Sequence, residues 1–120
     1  MFKPKMPIFG ANYYPEAWER SQIDQDLDLM QEMGLNCVRI GEFAWSTMER
    51  EEGKFDFSIF REVVDKCKTR GMSVIMGTPT ACPPRWIERK YPDLLLESVT
   101  GRVITHGTRR CVCPNSKGFL

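Results

Sequence analysis

The chain has 120 residues, 42% of them hydrophobic, with 17 basic and 16 acidic side chains. That is enough apolar material for a packed core, and no run of like charge marks a disordered segment. The near-neutral balance, without a Lys/Arg cluster interleaved with aromatics, argues against a nucleic-acid partner. No stretch reaches transmembrane length and the N-terminus lacks the apolar run of a secretory leader, so no membrane partner and a cytoplasmic location are expected.

In chain order, the apolar run 8–14 with Gly10 inside it reads as a first strand ended by Pro15. Ser21 followed by Asp24 resembles a capping box, and Ile23, Leu27 and Met30 recur at helical spacing before Gly34 stops the helix. An apolar strand follows over 36–41. Ser58 then reads as an N-cap for a helix whose apolar face is Phe60, Val63, Val64 and Cys67, stopped by Gly71. A third strand follows at once, over 72–78.

Gly34 and Gly71 thus each close an amphipathic stretch and open an apolar one, which is the signature of repeated strand–helix modules. Right-handed crossovers between neighbouring strands predict a parallel sheet in order 1-2-3, its first strand near 7–13, with both helices on one face. Beyond Thr80 the pattern changes. Pro83-Pro84 opens a short helix near 85–89, residues 94–97 and 102–105 flank Thr100-Gly101 like a hairpin, and 113–116 read as a further helix N-terminus. Three strands and two crossover helices cannot bury both faces of a parallel sheet, so the chain reads as one part of a larger α/β architecture.

The carboxyl ends of parallel strands form the rim where ligands gather. Glu16 follows the first strand and Glu42 ends the second; paired rim carboxylates suit glycosidic acid/base chemistry, although rim acids more often cap loops or accept backbone N–H groups. Trp18, Trp45 and Trp86 follow strand ends, where an indole face suits the C–H surface of a sugar or packs beneath the loops. Arg39 alternates with Val38 and Ile40 and is expected on the face away from the helices, in a structural role.

Of the five cysteines, Cys37 and Cys67 fall at apolar positions where a thiol acts as a small hydrophobe. Cys111-x-Cys113 alone is a weak metal signal, and His106 has no ligand spacing around it. No dinucleotide, phosphate-loop, zinc-protease or serine-esterase motif is present.

Four segments, Gly10-Ala11-Asn12-Tyr13-Tyr14-Pro15-Glu16-Ala17-Trp18, Val38-Arg39-Ile40-Gly41-Glu42-Phe43-Ala44-Trp45-Ser46, Glu52-Gly53-Lys54-Phe55-Asp56-Phe57 and Gly77-Thr78-Pro79-Thr80-Ala81-Cys82-Pro83-Pro84-Arg85-Trp86, resemble in order and spacing the N-terminal part of glycoside hydrolase family 42, the β-galactosidases. The resemblance implies the first three strands and two helices of a TIM (β/α)8 barrel, incomplete, with residues 1–120 forming the N-terminal part of the catalytic domain up to the start of the third helix. It implies hydrolysis of terminal non-reducing β-D-galactose residues with retention, without a catalytic cofactor, and allows a homo-oligomer of the complete protein. It places both catalytic glutamates, after the fourth and seventh strands, beyond Leu120.

The segment 107–116 is similar to the end of the family's third-strand loop, where the first Arg of a pair holds galactose and a Cys is one of four structural zinc ligands. Carried over, these are Arg109 and Cys113, with Cys111-Val112 standing where His-Tyr is usual. The other three zinc cysteines would lie downstream, and not every member has them. The competing reading is a non-catalytic product that at most binds sugar weakly.

Overall fold

The computed structural model describes residues 7–103, 112–116 and 119. Along the chain it forms β1 (Gly10–Asn12), α1 (Ile23–Glu32), β2 (Cys37–Ile40), α2 (Trp45–Met48), β3 (Glu49–Glu51), β4 (Lys54–Phe55), α3 (Ser58–Thr69), β5 (Ser73–Met76) and α4 (Arg85–Lys90), with short 3-10 turns between some of them. These group into two compact units: residues 1–41 with 57–77, and residues 42–56 with 78–120.

The first unit is the expected parallel sheet, in order β1-β2-β5, with β2 in the centre. Pairing runs past the strand ends. The Phe9 N–H donates to Asn36 Oδ1, the Asn36 N–H returns to the Phe9 carbonyl, and the Tyr13 N–H donates to the Arg39 carbonyl at 2.8 Å. The whole run from Phe9 to Tyr13 therefore lies against β2, although its first part is held partly by a side chain. Gly10 has a steric reason: a Cβ there would sit 2.4 Å from the Cys37 carbonyl oxygen.

Both long helices end in the same way. The Leu35 N–H donates to the Met30 carbonyl and that of Gly34 to Gln31, while Met72 and Gly71 repeat the pattern on Cys67 and Lys68. This double bond requires a left-handed residue after the helix, and Gly34 (φ 84°) and Gly71 (φ 67°) supply it. Leu35 and Met72, next in line, turn inward and are buried.

The helices pair across polar surfaces and bury their apolar stripes. Ile23 and Leu27 of α1 and Phe60, Val63 and Cys67 of α3 are buried with Val38 and Ile40 of β2. On the outer side Arg70 donates to Asp28 Oδ1 (2.7 Å) and Asp24 Oδ1 (3.0 Å), and Lys66 also pairs with Asp24, so α1 and α3 lie side by side as the crossover rule demands. Such exposed pairs set alignment more than stability.

Three helix expectations are corrected. Ser21 does not cap α1: it lies within the 3-10 turn Arg20–Gln22, whose Gln22 N–H reaches the Glu19 carbonyl, so backbone takes the place of a capping side chain. Ser58 is the first residue of α3 and Phe57 stands at the cap position. Val64 is 40% exposed, because a helix against one sheet face buries a stripe narrower than its apolar spacing.

The second unit holds α2, the antiparallel pair β3-β4, α4 and the turns after it. Of the expected hairpin between 94–97 and 102–105, the described residues carry the bridge Glu97 to Val103, closed by Ser98 N–H to the Arg102 carbonyl. Leu95 bridges instead to Val112, and the Cys113 N–H donates to the Leu94 carbonyl at 2.7 Å. Residues 113–116 form a turn, and the buried Ser116 hydroxyl donates to Asp93. Among the described residues, no helix is long and apolar enough to cross a membrane.

Candidate functional site

The sheet face turned away from the helices is open. Ile8, Gly10, Asn12, Cys37, Arg39 and Ile75 line a groove of about 430 Å³ there. Strand alternation puts these side chains together: β2 buries Val38 and Ile40 under the helices and leaves Arg39 exposed between them. Cys37 is buried on this face and Cys67 under α3, and burial raises both thiols above their ordinary range, as expected of small hydrophobes rather than reactive groups.

At the carboxyl end of β1 the chain makes the 3-10 turn Pro15–Ala17. Tyr13, buried, donates its hydroxyl to Asp26 of α1 at 2.9 Å, and burial together with the Asp26 carboxylate drives the phenol far above its ordinary range. Glu16 is half-buried. Its Oε2 is inaccessible and has no hydrogen-bond partner among the described residues, and burial raises its carboxyl above the usual carboxylate range. Trp18 is 64% exposed.

In the second unit, Glu42 is half-buried after β2. The most organised group there centres on Glu49, a residue that the sequence pattern did not single out. Glu49 is 8% exposed, and its carboxylate accepts Trp45 Nε1–H at Oε2 and the Gly53 N–H at Oε1, both at 2.8 Å. Its backbone carbonyl accepts Trp86 Nε1–H at 3.0 Å. Two of the three tryptophans read from the sequence as sugar-facing or packed beneath loops are therefore anchored by their only polar atom to one residue, and both remain half-buried. Trp45 also meets the Phe119 ring edge-on at 6.5 Å.

Cys113 is a free, half-buried thiol at the turn strapped to residues 93–95. Among the described residues, no group of three or more His, Cys, Asp or Glu stands together in the arrangement of a metal site. Arg109, Cys111 and His106 lie outside the described residues.

A family model described as β-galactosidase, that of glycoside hydrolase family 42, matches residues 12–120. The chain is 44% identical over 110 residues to the β-galactosidase YesZ of Bacillus subtilis, covering 92% of this chain and 17% of that protein. It is 39% identical to the solved β-galactosidase of the psychrophilic Marinomonas ef1 (TM-score 0.82), covering 88% of this chain and 16% of that one. It is 36% identical to that of Halorubrum lacusprofundi (TM-score 0.87), covering 94% and 17%. A β-amylase catalytic domain from Paenibacillus polymyxa shares the fold at 12% identity (TM-score 0.64), covering 91% of this chain and 29% of that one. The chain thus spans about a sixth of the length of the relatives it matches.

Proposed function

The chain belongs to glycoside hydrolase family 42 and has the opening strands and helices of its TIM barrel, and from that premise we propose that it is the N-terminal part of the catalytic domain of a retaining β-galactosidase acting on terminal non-reducing β-D-galactose residues. The observation that carries the reading is the match over residues 12–120 to proteins named as β-galactosidases, on a parallel β1-β2-β5 sheet.

The roles follow from the family resemblance. Glu16 and Glu42 shape the rim, and the acid/base and nucleophilic carboxylates come from later strands of the barrel. Arg109 holds galactose, its guanidinium offering a rigid fork of donors to adjacent hydroxyls. Cys113 contributes to a zinc site only in combination with cysteines further along the protein. The enzyme works in the cytoplasm without a catalytic cofactor.

The test is hydrolysis of nitrophenyl glycosides. The full-length protein should release nitrophenol from the β-galactoside in preference to the β-glucoside, and residues 1–120 alone should release none. Turnover by residues 1–120 that disappears in Glu42→Gln would overturn the assignment of roles. A full-length protein with no preference for the galactoside would overturn the substrate.

A further inference from the structure

We propose that Glu49 is a positioning residue for substrate binding, whose carboxylate fixes the Trp45 indole as one wall of the sugar site while its backbone carbonyl fixes Trp86. The inference rests on the β-galactosidase reading and deepens it. Burying a carboxylate is costly unless its oxygens are satisfied, and an apolar side chain would pack the same hairpin at lower cost. Glu49 is nonetheless buried, and each carboxylate oxygen faces one N–H: the Trp45 indole and the Gly53 amide in the turn that joins β3 to β4.

Only a carboxylate offers two acceptors and no donor at this position; a glutamine would turn an NH2 toward one of the two N–H groups. The backbone around Glu49 is fixed by its pairing with Phe55, so the carbonyl that receives the Trp86 N–H is fixed with it. In chain order, Trp45 follows β2 and Trp86 follows β5. With each N–H spent on Glu49, what each half-buried indole has left to present is an apolar ring face, the surface that suits the C–H side of a pyranose. Groups that touch substrate need neighbours that lock their rotamers, and Glu49 does this for two of them.

The experiment compares Glu49→Gln and Trp45→Phe with the full-length enzyme on nitrophenyl β-galactoside, at equal concentrations of active sites. Trp45→Phe removes the Trp45–Glu49 bond and keeps an aromatic ring, while Glu49→Gln leaves one of the two N–H groups facing an NH2. The expected result is a KM raised roughly 5- to 20-fold with kcat within about twofold, the mark of lost binding common to ground and transition states. If Glu49→Gln does not fold, Trp45→Phe alone decides by the same criterion. Wild-type KM in Trp45→Phe, or a fall in kcat with KM unchanged, would overturn the proposal while leaving the β-galactosidase reading in place. Absence of galactoside hydrolysis by the wild-type enzyme would overturn both.

Discussion

The two units of this chain are held together by different means. In the first, residues 1–41 with 57–77, repeated secondary structure buries continuous apolar stripes: Leu27, Val38, Ile40, Val63 and Cys67 are all fully enclosed. In the second, residues 42–56 with 78–120, strands are two or three residues long, the buried apolar residues Ala44, Met48, Ile87 and Leu94 come from short helices and turns, and particular polar bonds fix single side chains, with Trp45, Trp86 and Gly53 all on Glu49 and Ser116 on Asp93. The difference separates two tasks within one barrel segment. The first unit is a scaffold built on continuous apolar stripes, and the second adds polar bonds that hold individual side chains in place.

Substitutions should divide along the same line. The largest effect on stability is expected in the scaffold: Val63→Ala in the full-length enzyme should lower unfolding stability by about 2 to 3 kcal/mol, through lost burial and the cavity left behind, with KM unchanged. Urea unfolding monitored alongside kinetics checks this, and a variant with normal stability and a raised KM would break the comparison.

Next is Arg109→Ala, which should weaken transition-state binding by about 2 to 4 kcal/mol in kcat/KM, as loss of a charged hydrogen-bond donor does, with the fold intact. Arg110→Ala should do less. An unchanged kcat/KM in Arg109→Ala with a collapse in Arg110→Ala would move the role by one residue.

The smallest effect sharpens the scaffold side. Glu16 carries a raised carboxyl pKa because of burial, so the folded state holds its proton more tightly than the unfolded chain does. Its charge therefore costs stability once the pH rises above the ordinary carboxylate range, and the penalty disappears on acidification below that range. Glu16→Gln should stabilise the enzyme by up to about 1 kcal/mol at neutral pH, with no gain at acidic pH. Melting curves of both proteins across that range test it, and a destabilised Glu16→Gln at neutral pH would show that the carboxylate has a charge partner in the intact barrel.

The same division explains what was legible in the sequence. The scaffold was readable because its signals are periodic: Ile23 and Leu27 at i and i+4, Phe60, Val63 and Cys67 at helical spacing, Gly34 and Gly71 at matching helix ends, and Arg39 between two inward apolar residues. The errors there were local, where the 3-10 turn Arg20–Gln22 replaced a capping serine and Val64 lay beyond the buried stripe.

The second unit gave no comparable signal. The β3-β4 pair, Glu49–Glu51 with Lys54–Phe55, is too short and too charged to alternate, and nothing local to Glu49 announces that it is buried. Its role depends on Trp86, far along the chain, so it becomes visible only once the turns are in place. The partner of Leu95 was missed for the same reason: Thr100-Gly101 suggested a nearby hairpin, and the actual bridge is to Val112.

The central claim is that this scaffold and its loops open the barrel of a retaining β-galactosidase, and the anomer first released by the full-length enzyme tests it most directly. Proton NMR of early nitrophenyl β-galactoside hydrolysis should show β-galactose appearing first and mutarotating afterwards, as a glycosyl-enzyme intermediate requires. Initial release of α-galactose, or no galactose at all, would contradict the account.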